Sequence, residues 1–264
     1  MTSPHPDTLH VASERVLDRL RREFTFQISV DTDNLPLGLS VAAAALAGGI
    51  TIVEMGTPLL KCEGVVNVVP AFRRRFPEAL LLADMKTMDG GAFEARAVYR
   101  GGGNIIDFLA LAGVATAKAV CAERDEFRRA NPDMSRLAFA DILLPQQGSI
   151  AEAVEVACRM RDAGVDGVGV HLQLDARRAE PGLTQSGLLA DAASAIFARI
   201  GSDVSVQVVG GLSVEQALDL ARNGLRAFVV SGNLGFPDGV ARYGLPSDEI
   251  ERHVAAFIAE VMKG

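Results

Sequence analysis

Short apolar runs alternate with longer amphipathic segments along most of the chain. Several of the runs are apolar at consecutive positions, such as LLLA before Asp84 and FVV before Ser231. Consecutive apolar positions are typical of strands that are buried on both faces of a parallel sheet. The pattern predicts strands at Phe24–Asp31, Ile50–Glu54, Ala79–Asp84, Ile105–Leu109, Leu137–Asp141, Asp166–His171, Val204–Val209 and Ala227–Ser231.

Helical patterns separate these strands, which indicates parallel pairing, because parallel strands need such crossover connections. The predicted helices are 36–47, 64–76, 92–100, 116–129, 150–163, 187–200, 214–223 and 247–262. Eight strand–helix units predict a closed (β/α)8 TIM barrel. The alternative is an open doubly wound sheet, which is disfavoured because no dinucleotide-binding glycine pattern follows the first strand.

The chain before the barrel combines a loose, proline-containing tail with an amphipathic segment at 11–22. Leu17 and Leu20 lie on the apolar side of that segment. We therefore predict a tail and helix over residues 1–23 and a single barrel domain over residues 24–264. The helix could cap the floor of the barrel or pack on a partner, and the sequence leaves both open.

The composition narrows the possible functions. A length of 264 residues suits one barrel of about 250 residues, and 49% hydrophobic residues suffice for a large core. The net charge of −7 disfavours a nucleic-acid coat, which needs a concentrated basic face. The sequence contains neither an apolar run long enough for a membrane span nor a signal-peptide core. Three widely spaced cysteines suit buried thiols in a reducing compartment. We therefore expect a cytoplasmic protein, and we expect its substrate to be a small molecule.

Ionisable side chains gather where the predicted strands end, which is where active sites of such barrels lie. These strand-end residues are Asp31, Glu54, Asp84, Asp141 and His171, and the pairs Gly210-Gly211 and Gly232-Asn233 follow the last two strands. Lys86 lies two residues after Asp84, so the two share a strand face. Since unpaired buried charges are costly, we expect an ion pair here, either catalytic or a structural pair that closes the barrel mouth.

Three of these features point to specific chemistry, each with a simpler alternative. Glu54 and Asp84 end neighbouring strands and suit Mg²⁺, although both could be solvated acids. His171 could serve as an acid or base near neutral pH, or be a hydrogen-bonded structural histidine. The glycine pairs could bind phosphate through backbone N–H groups, or form ordinary turns.

Two segments resemble the orotidine 5'-monophosphate decarboxylase suprafamily. DMKTMD at Asp84–Asp89 matches its D-x-K-x-x-D signature. EMGTPLLKCEG at Glu54–Gly64 resembles the E-x-G-T-P-L-x-K-x-E-G stretch of 3-hexulose-6-phosphate synthases. LADMKTMDGG also follows that branch more closely than the 3-keto-L-gulonate 6-phosphate decarboxylase branch. The resemblance runs from Phe24 to Gly232 and is looser beyond the fourth strand.

The resemblance implies a magnesium-dependent lyase that acts as a homodimer with shared active sites. Glu54 and Asp84 would be the Mg²⁺ ligands, and the implied catalytic residues are Asp31, Lys86, Asp89, which reaches into the partner's site, and His171, which transfers protons. The implied substrate- and phosphate-binding residues are Asp31, Lys61, Asp141, Gly210, Gly211, Gly232 and Asn233. We expect addition of formaldehyde to the enediolate of ribulose 5-phosphate, or the reverse reaction.

Other functions stay open at this point. A decarboxylase of a 3-keto sugar-acid phosphate would share the enediolate intermediate, which Mg²⁺ stabilises in both cases. A phosphosugar isomerase or epimerase and a catalytically silent binding partner are further alternatives. The family pattern Gly-Arg after strand eight is Gly232-Asn233 here, and losing that arginine weakens phosphate binding. Either another cation substitutes, for which Arg242 is a candidate, or the substrate differs.

Overall fold

The computed structural model describes residues 11–263 apart from 186, 237 and 239, so the predicted tail over residues 1–10 lies outside the described residues. Eight parallel strands close into a barrel in sequence order, which confirms the TIM barrel and excludes the open sheet. The strands are β1 Thr25–Val30, β2 Ile52–Met55, β3 Leu80–Thr87, β4 Ile105–Leu109, β5 Leu137–Leu144, β6 Gly167–Leu172, β7 Ser205–Val209 and β8 Ala227–Val230.

Helices connect the strands close to the predicted positions. They are α1 Val11–Arg22, α2 Leu35–Ala47, α3 Thr57–Glu63, α4 Val65–Arg75, α5 Gly91–Arg100, α6 Gly113–Ala130, α7 Ile150–Asp162, α8 Leu174–Ala179, α9 Gly182–Gln185, α10 Leu188–Ile200, α11 Val214–Arg222 and α12 Ser247–Val261. The short helices α3, α8 and α9 are absent from the sequence prediction. Helices α3 and α8 begin within two residues of the ends of β2 and β6, so they border the mouth of the barrel.

Helix α1 closes the opposite end of the barrel. Its Leu20 is 2% exposed and packs in one cluster with Ile52, Leu82 and Phe139 of the strands. The Ser13 hydroxyl accepts a hydrogen bond of 3.0 Å from the backbone N–H of Arg136, just before β5. Of the two positions that the sequence left open, α1 therefore takes the barrel floor.

Two features depart from simple expectations. Strand β3 is irregular near its end: Asp84 pairs with Asp107 and Thr87 with Phe108, and Lys86 lies between with a φ of 49°. The cysteines are all free, but Cys62 is exposed on α3 rather than buried. Among the described residues, none of the helices combines the length and apolar character that crossing a bilayer requires.

Candidate active site

A cavity of about 450 Å³ opens at the C-terminal end of the strands. It brings together most of the site residues predicted from the sequence, namely Asp31, Glu54, Asp84, Lys86, Asp141, His171, Gly210, Gly211, Gly232 and Asn233. Most of these residues lie at or just beyond the C-terminal ends of the strands, which meet at one mouth of the closed barrel, so residues distant in the chain are close together here. The structure adds eight polar lining residues that the sequence prediction lacked: Gln27, Ser29, Thr57, Asp107, Arg177, Arg178, Ser231 and Tyr243.

Two predicted residues do not line this cavity. Lys61 is exposed because α3 buries Leu59 and Leu60, which leaves the lysine on its solvent side. Asp89 is exposed in the loop after β3, where its carboxylate accepts a hydrogen bond of 2.8 Å from the N–H of Gly90. The structure thus does not support Lys61 as a substrate contact within one chain, and the role of Asp89 in a partner's site stays a prediction.

Lys86 is the centre of the polar network in the cavity. Its ammonium lies 2.6 Å from Asp84 Oδ1 and 2.7 Å from Asp141 Oδ2. Burial disfavours the ammonium, but the charges of Asp141 and Asp84 outweigh it and hold the pKa of Lys86 well above its usual value. The lysine is therefore a fixed positive charge at neutral pH, and the expected ion pair is present.

Asp107 completes this cluster from β4. Asp84, Asp107 and Asp141 are buried, and one oxygen of each lies within 4.8 Å of the others. Burial, followed by the charge of Asp141, raises the pKa of Asp107 well above its usual value. The Lys86 ammonium bridges two of the three carboxylates, Asp84 and Asp141, and thus places a positive charge within this group of acids.

Glu54 faces the cavity from β2 beside this cluster. It is 5% exposed and accepts hydrogen bonds from Gln27 Nε2 and, at 2.8 Å, from Ser29 Oγ. Gln27 is held in turn by Gln207, whose amide donates to it at 3.1 Å. Burial and the charges of Asp84 and Asp31 raise the pKa of Glu54 well above its usual value. Negative charges this close repel one another, and a bound cation would offset that repulsion.

The donor set at Glu54 and Asp84 fits a hard divalent metal ion. Both groups are buried carboxylates on adjacent strands, and oxygen ligands of this kind suit Mg²⁺. Asp84 uses Oδ1 for Lys86 and Oδ2 for the Thr57 hydroxyl at 2.7 Å, so its orientation is fixed from two sides. The residues present could therefore hold a divalent cation, whose identity the donor set alone does not specify.

His171 and Asp141 form a second unit of the site. The Nδ1 atom of His171 lies 3.3 Å from Asp141 Oδ2. Burial disfavours the Asp141 carboxylate, but Lys86 and His171 outweigh it and hold its pKa well below the usual range. A charged Asp141 favours the proton on Nδ1 and leaves Nε2 of His171 available to accept another.

Gly169 provides the space that Asp141 occupies. A Cβ added at this position of β6 would lie 2.7 Å from Asp141 Oδ1. We expect Gly169→Ala to displace that carboxylate and lower catalytic activity at least about tenfold, as small misplacements of catalytic groups do. Steady-state kinetics with a thermal unfolding curve measure this. Gly182→Ala is the control, because a Cβ there meets no atom of the described residues within 4 Å. Equal activity of both variants would contradict the role of Asp141.

The segment after β8 differs from the expectation for a phosphate-binding cation. Arg242 is not among the lining residues: its guanidinium lies 2.6 Å from Asp238 Oδ2 and 4.2 Å from the Phe236 ring centre, and its Nη1 donates to the backbone carbonyl of Asn233 at 3.4 Å. The chain turns after Asn233 so that Arg242 meets Asp238 in the same loop. The cavity instead receives Arg177 of α8, whose Nη1 donates to the carbonyl of Gly210 at 2.6 Å.

Tyr243 brings the same loop back to the barrel mouth. Its hydroxyl donates to the Ser29 carbonyl and accepts from the backbone N–H of Asp31 at 3.3 Å. The Ser29 Oγ atom, which donates to Glu54, also lies 3.0 Å from Asp31 Oδ2. Desolvation and the charge of Asp84 raise the pKa of Asp31. The loop after β8 thus forms part of the site wall through Tyr243.

Comparisons with known proteins agree on one family. The model of the orotidine 5'-phosphate decarboxylase / HUMPS family matches residues 25–235. A 3-hexulose-6-phosphate synthase of Mycobacterium gastri is 28% identical over 207 residues, covering 78% of this chain and 89% of the relative. Another, of Methylomonas aminofaciens, is 31% identical over 175 residues, covering 66% and 75%. A crystal structure of a 3-hexulose-6-phosphate synthase has a TM-score of 0.70 at 25% identity, over 88% of this chain and 99% of that one.

Proposed function

Because this chain belongs to the orotidine 5'-phosphate decarboxylase / HUMPS family, we propose that it is a carbon–carbon lyase of the 3-hexulose-6-phosphate synthase type. Its reaction is the addition of formaldehyde to the enediolate of ribulose 5-phosphate, or the reverse. The observation that carries the proposal is Lys86, which is held between Asp84 and Asp141 with Glu54 and His171 in the same cavity. Removing one of these groups would leave an incomplete set for enediolate chemistry.

Glu54 and Asp84 hold a magnesium ion in this proposal. Burial, followed by the charges of Asp84 and Asp31, raises the pKa of Glu54, and a cation held by Glu54 and Asp84 would offset that repulsion. A divalent cation supplies positive charge against the oxygens of an enediolate as negative charge develops there. Gln27 and Ser29 fix the Glu54 carboxylate, so this ligand does not need to reorient when the substrate binds.

His171 removes the proton from the carbon next to the ketone of the substrate and returns a proton in the reverse direction. Asp141 keeps the imidazole in the tautomer whose Nε2 accepts that proton. Lys86 contributes a fixed positive charge next to the developing anion, and Asp31 binds substrate hydroxyl groups at the rim. The carbanion-like carbon then attacks formaldehyde, and the resulting alkoxide takes up a proton, so no redox partner is needed.

The protein acts as a homodimer in which Asp89 reaches the partner's site. Large apolar side chains are exposed on one flank of the barrel, between α4 and the turn after β4: Val66, Met88, Phe93 and Leu111 are 68%, 54%, 75% and 42% exposed. Asp89 follows Met88 directly. Exposed large apolar side chains on neighbouring elements are typical of protein–protein contacts, and these four support an interface that includes Asp89.

Proton exchange tests the enediolate step without a second substrate. We expect the protein to exchange a proton of ribulose 5-phosphate for deuterium in D₂O, as followed by proton NMR, when magnesium is present. Excess EDTA removes the metal and should stop the exchange, and magnesium should restore it. Exchange that continues unchanged in EDTA would contradict the metal role of Glu54 and Asp84, and absence of exchange with magnesium would contradict the proposed enediolate.

The decarboxylase alternative uses the same groups, and a different readout separates it. A decarboxylase releases CO₂ from a 3-keto sugar-acid phosphate and then protonates the enediolate. Release of CO₂ from such a substrate at a rate above that of formaldehyde addition would favour this alternative. Exchange accompanied by conversion of ribulose 5-phosphate to an isomer or epimer would instead favour an isomerase.

A further inference from the structure

The charges in the cavity are divided between its two sides. The acids Asp31, Glu54, Asp84, Asp107 and Asp141 come from β1 to β5. Lys86 lies among them and is neutralised by two of them. On the side of β6 and β7 the ionisable lining residues are His171, Arg177 and Arg178. A substrate with an anionic end therefore has one favourable orientation, with the anion on the side of β6 and β7.

The residue after strand eight that is arginine in the family pattern is a buried asparagine here, Asn233. The Asn233 side chain is 3% exposed, and its Nδ2 donates to the carbonyls of Gly211, Leu212 and Phe236 at 3.0, 3.3 and 2.7 Å. It therefore anchors the following loop. The ring of Tyr243 covers the preceding glycine: a Cβ at Gly232 would lie 2.8 Å from that ring. Asn233 and Tyr243 therefore form a wall on this side of the cavity.

Arg177 of α8 lines the cavity next to this wall. It is half-buried, and among the residues that the structure describes no carboxylate forms an ion pair with it. Its hydrogen bond of 2.6 Å goes to a neutral acceptor, the carbonyl of Gly210. By contrast, Arg242 is paired with Asp238. A partly buried guanidinium without a counter-charge is a good binding group for an anion, because it has little hydration left to lose.

The surroundings of Arg177 also include an unsatisfied polar atom. Asn233 Oδ1 is buried and has no hydrogen-bond partner among the described residues. A Cβ placed on Gly211 would lie 3.4 Å from this oxygen and 3.4 Å from Arg177 Nη1, so both atoms flank the same glycine. Gly210 and Gly211 have φ values of 123° and 68°, which favour glycine and leave this space open. Arg177 Nη1 is a hydrogen-bond donor and Asn233 Oδ1 is an acceptor, and both border the same small space beside Gly211.

We propose that Arg177 of α8 binds the phosphate group of the substrate, in place of the arginine that the family has after strand eight. The guanidinium exchanges its bond to the Gly210 carbonyl for a stronger, charge-assisted bond to phosphate oxygen. Asn233 Oδ1 accepts a hydrogen bond from a protonated phosphate oxygen or from the adjacent sugar hydroxyl. This inference rests on the proposed function for the identity of the sugar phosphate, but not for the presence of a phosphate site.

Binding of inorganic phosphate and of ribulose 5-phosphate, measured by isothermal titration calorimetry, tests the proposal without turnover. We expect Arg177→Gln to weaken the binding of both ligands on the order of 10- to 100-fold, the usual loss for a hydrogen bond to a charged group. Unphosphorylated ribulose should bind the variant and the wild type equally. Arg177→Lys should recover part of the loss, because it keeps the charge without the fork of donors.

Arg222→Gln is the matched control. Arg222 carries the same charge on α11 but is exposed and paired with Asp219 at 2.7 Å, so its replacement should leave phosphate affinity unchanged. An equal loss in both variants would mean that net charge, not Arg177, attracts the ligand, and would overturn the proposal. Unchanged phosphate affinity of Arg177→Gln, or no phosphate binding by the wild type, would overturn it as well. If phosphate binding depends on Arg177 while proton exchange is absent, the site stands and the proposed reaction fails.

Discussion

Asp84→Asn is expected to lower turnover with ribulose 5-phosphate and formaldehyde on the order of a thousandfold, the scale seen when one preorganised electrostatic group is removed. The replacement keeps the size of the side chain and an oxygen for the Thr57 hydroxyl. It removes the charge that faces Lys86 and that complements Glu54 as a metal ligand. Steady-state kinetics at saturating magnesium measure the effect, and circular dichroism verifies the fold.

The matched control for this variant is Asp33→Asn. Asp33 lies at the same end of the barrel, is exposed and does not line the cavity, so its loss should change turnover little. Calorimetric titration with Mg²⁺ adds a second readout: Asp84→Asn should bind the ion more weakly than Asp33→Asn does. Wild-type turnover in Asp84→Asn would refute the assignment of Asp84 as a metal ligand.

Lys86→Met is expected to have an effect of similar size on turnover and a further effect on stability. The variant removes the cation that neutralises Asp84 and Asp141, whose side chains are 8% and 1% exposed. Removing one partner of a buried ion pair typically lowers the free energy of unfolding by about 3–5 kcal/mol. Urea denaturation measures the stability, and the proton-exchange assay measures the catalytic loss.

Lys118→Met controls for the loss of a lysine, because Lys118 is exposed on α6 outside the cavity. Stability and exchange rate should stay close to the wild type in this control. The alternative that the Lys86 cluster only closes the barrel mouth predicts a loss of stability with exchange intact. That pattern, in protein that is still folded at the assay temperature, would contradict a catalytic Lys86.

The sequence was sufficient for the barrel and for the acids that end strands. Apolar runs with an acid or a histidine at the end are a local signal, and in a parallel barrel all strand ends meet at one mouth. Asp84, Glu54, Asp141 and His171 could therefore be placed together without coordinates. The end of β3 could not be predicted from the sequence. The irregular register near Lys86 comes from pairing with β4 and not from the local pattern.

Asp107 carried a usable signal that the strand-end rule did not capture. It lies in the middle of β4, in IIDFL, where a charged residue interrupts an apolar strand. Its in-register partner is Asp84, so the same rule applied to strand pairs, rather than strand ends, would have found it. An acid inside an apolar strand is therefore as informative as one at the end.

Loop geometry, which the local sequence pattern does not reveal, places Arg177 and Tyr243 in the cavity lining and leaves Arg242 outside it. Arg177 lies six residues beyond His171 on a helix that the sequence pattern did not predict. Tyr243 reaches β1 from a loop more than 200 residues away along the chain. The replacement of the family's arginine by Asn233 raised two readings from sequence, another phosphate-binding cation or a different substrate. The candidate nearest in sequence, Arg242, does not line the cavity, whereas Arg177 does.

Formaldehyde consumption by the purified protein with ribulose 5-phosphate and magnesium tests the proposed lyase most directly. We expect formaldehyde to disappear only when the sugar phosphate and magnesium are both present, with formation of a six-carbon ketose phosphate. The reaction should stop in EDTA and in Lys86→Met. Formaldehyde that stays constant under these conditions, with a protein that is folded and binds magnesium, would contradict the synthase-type activity.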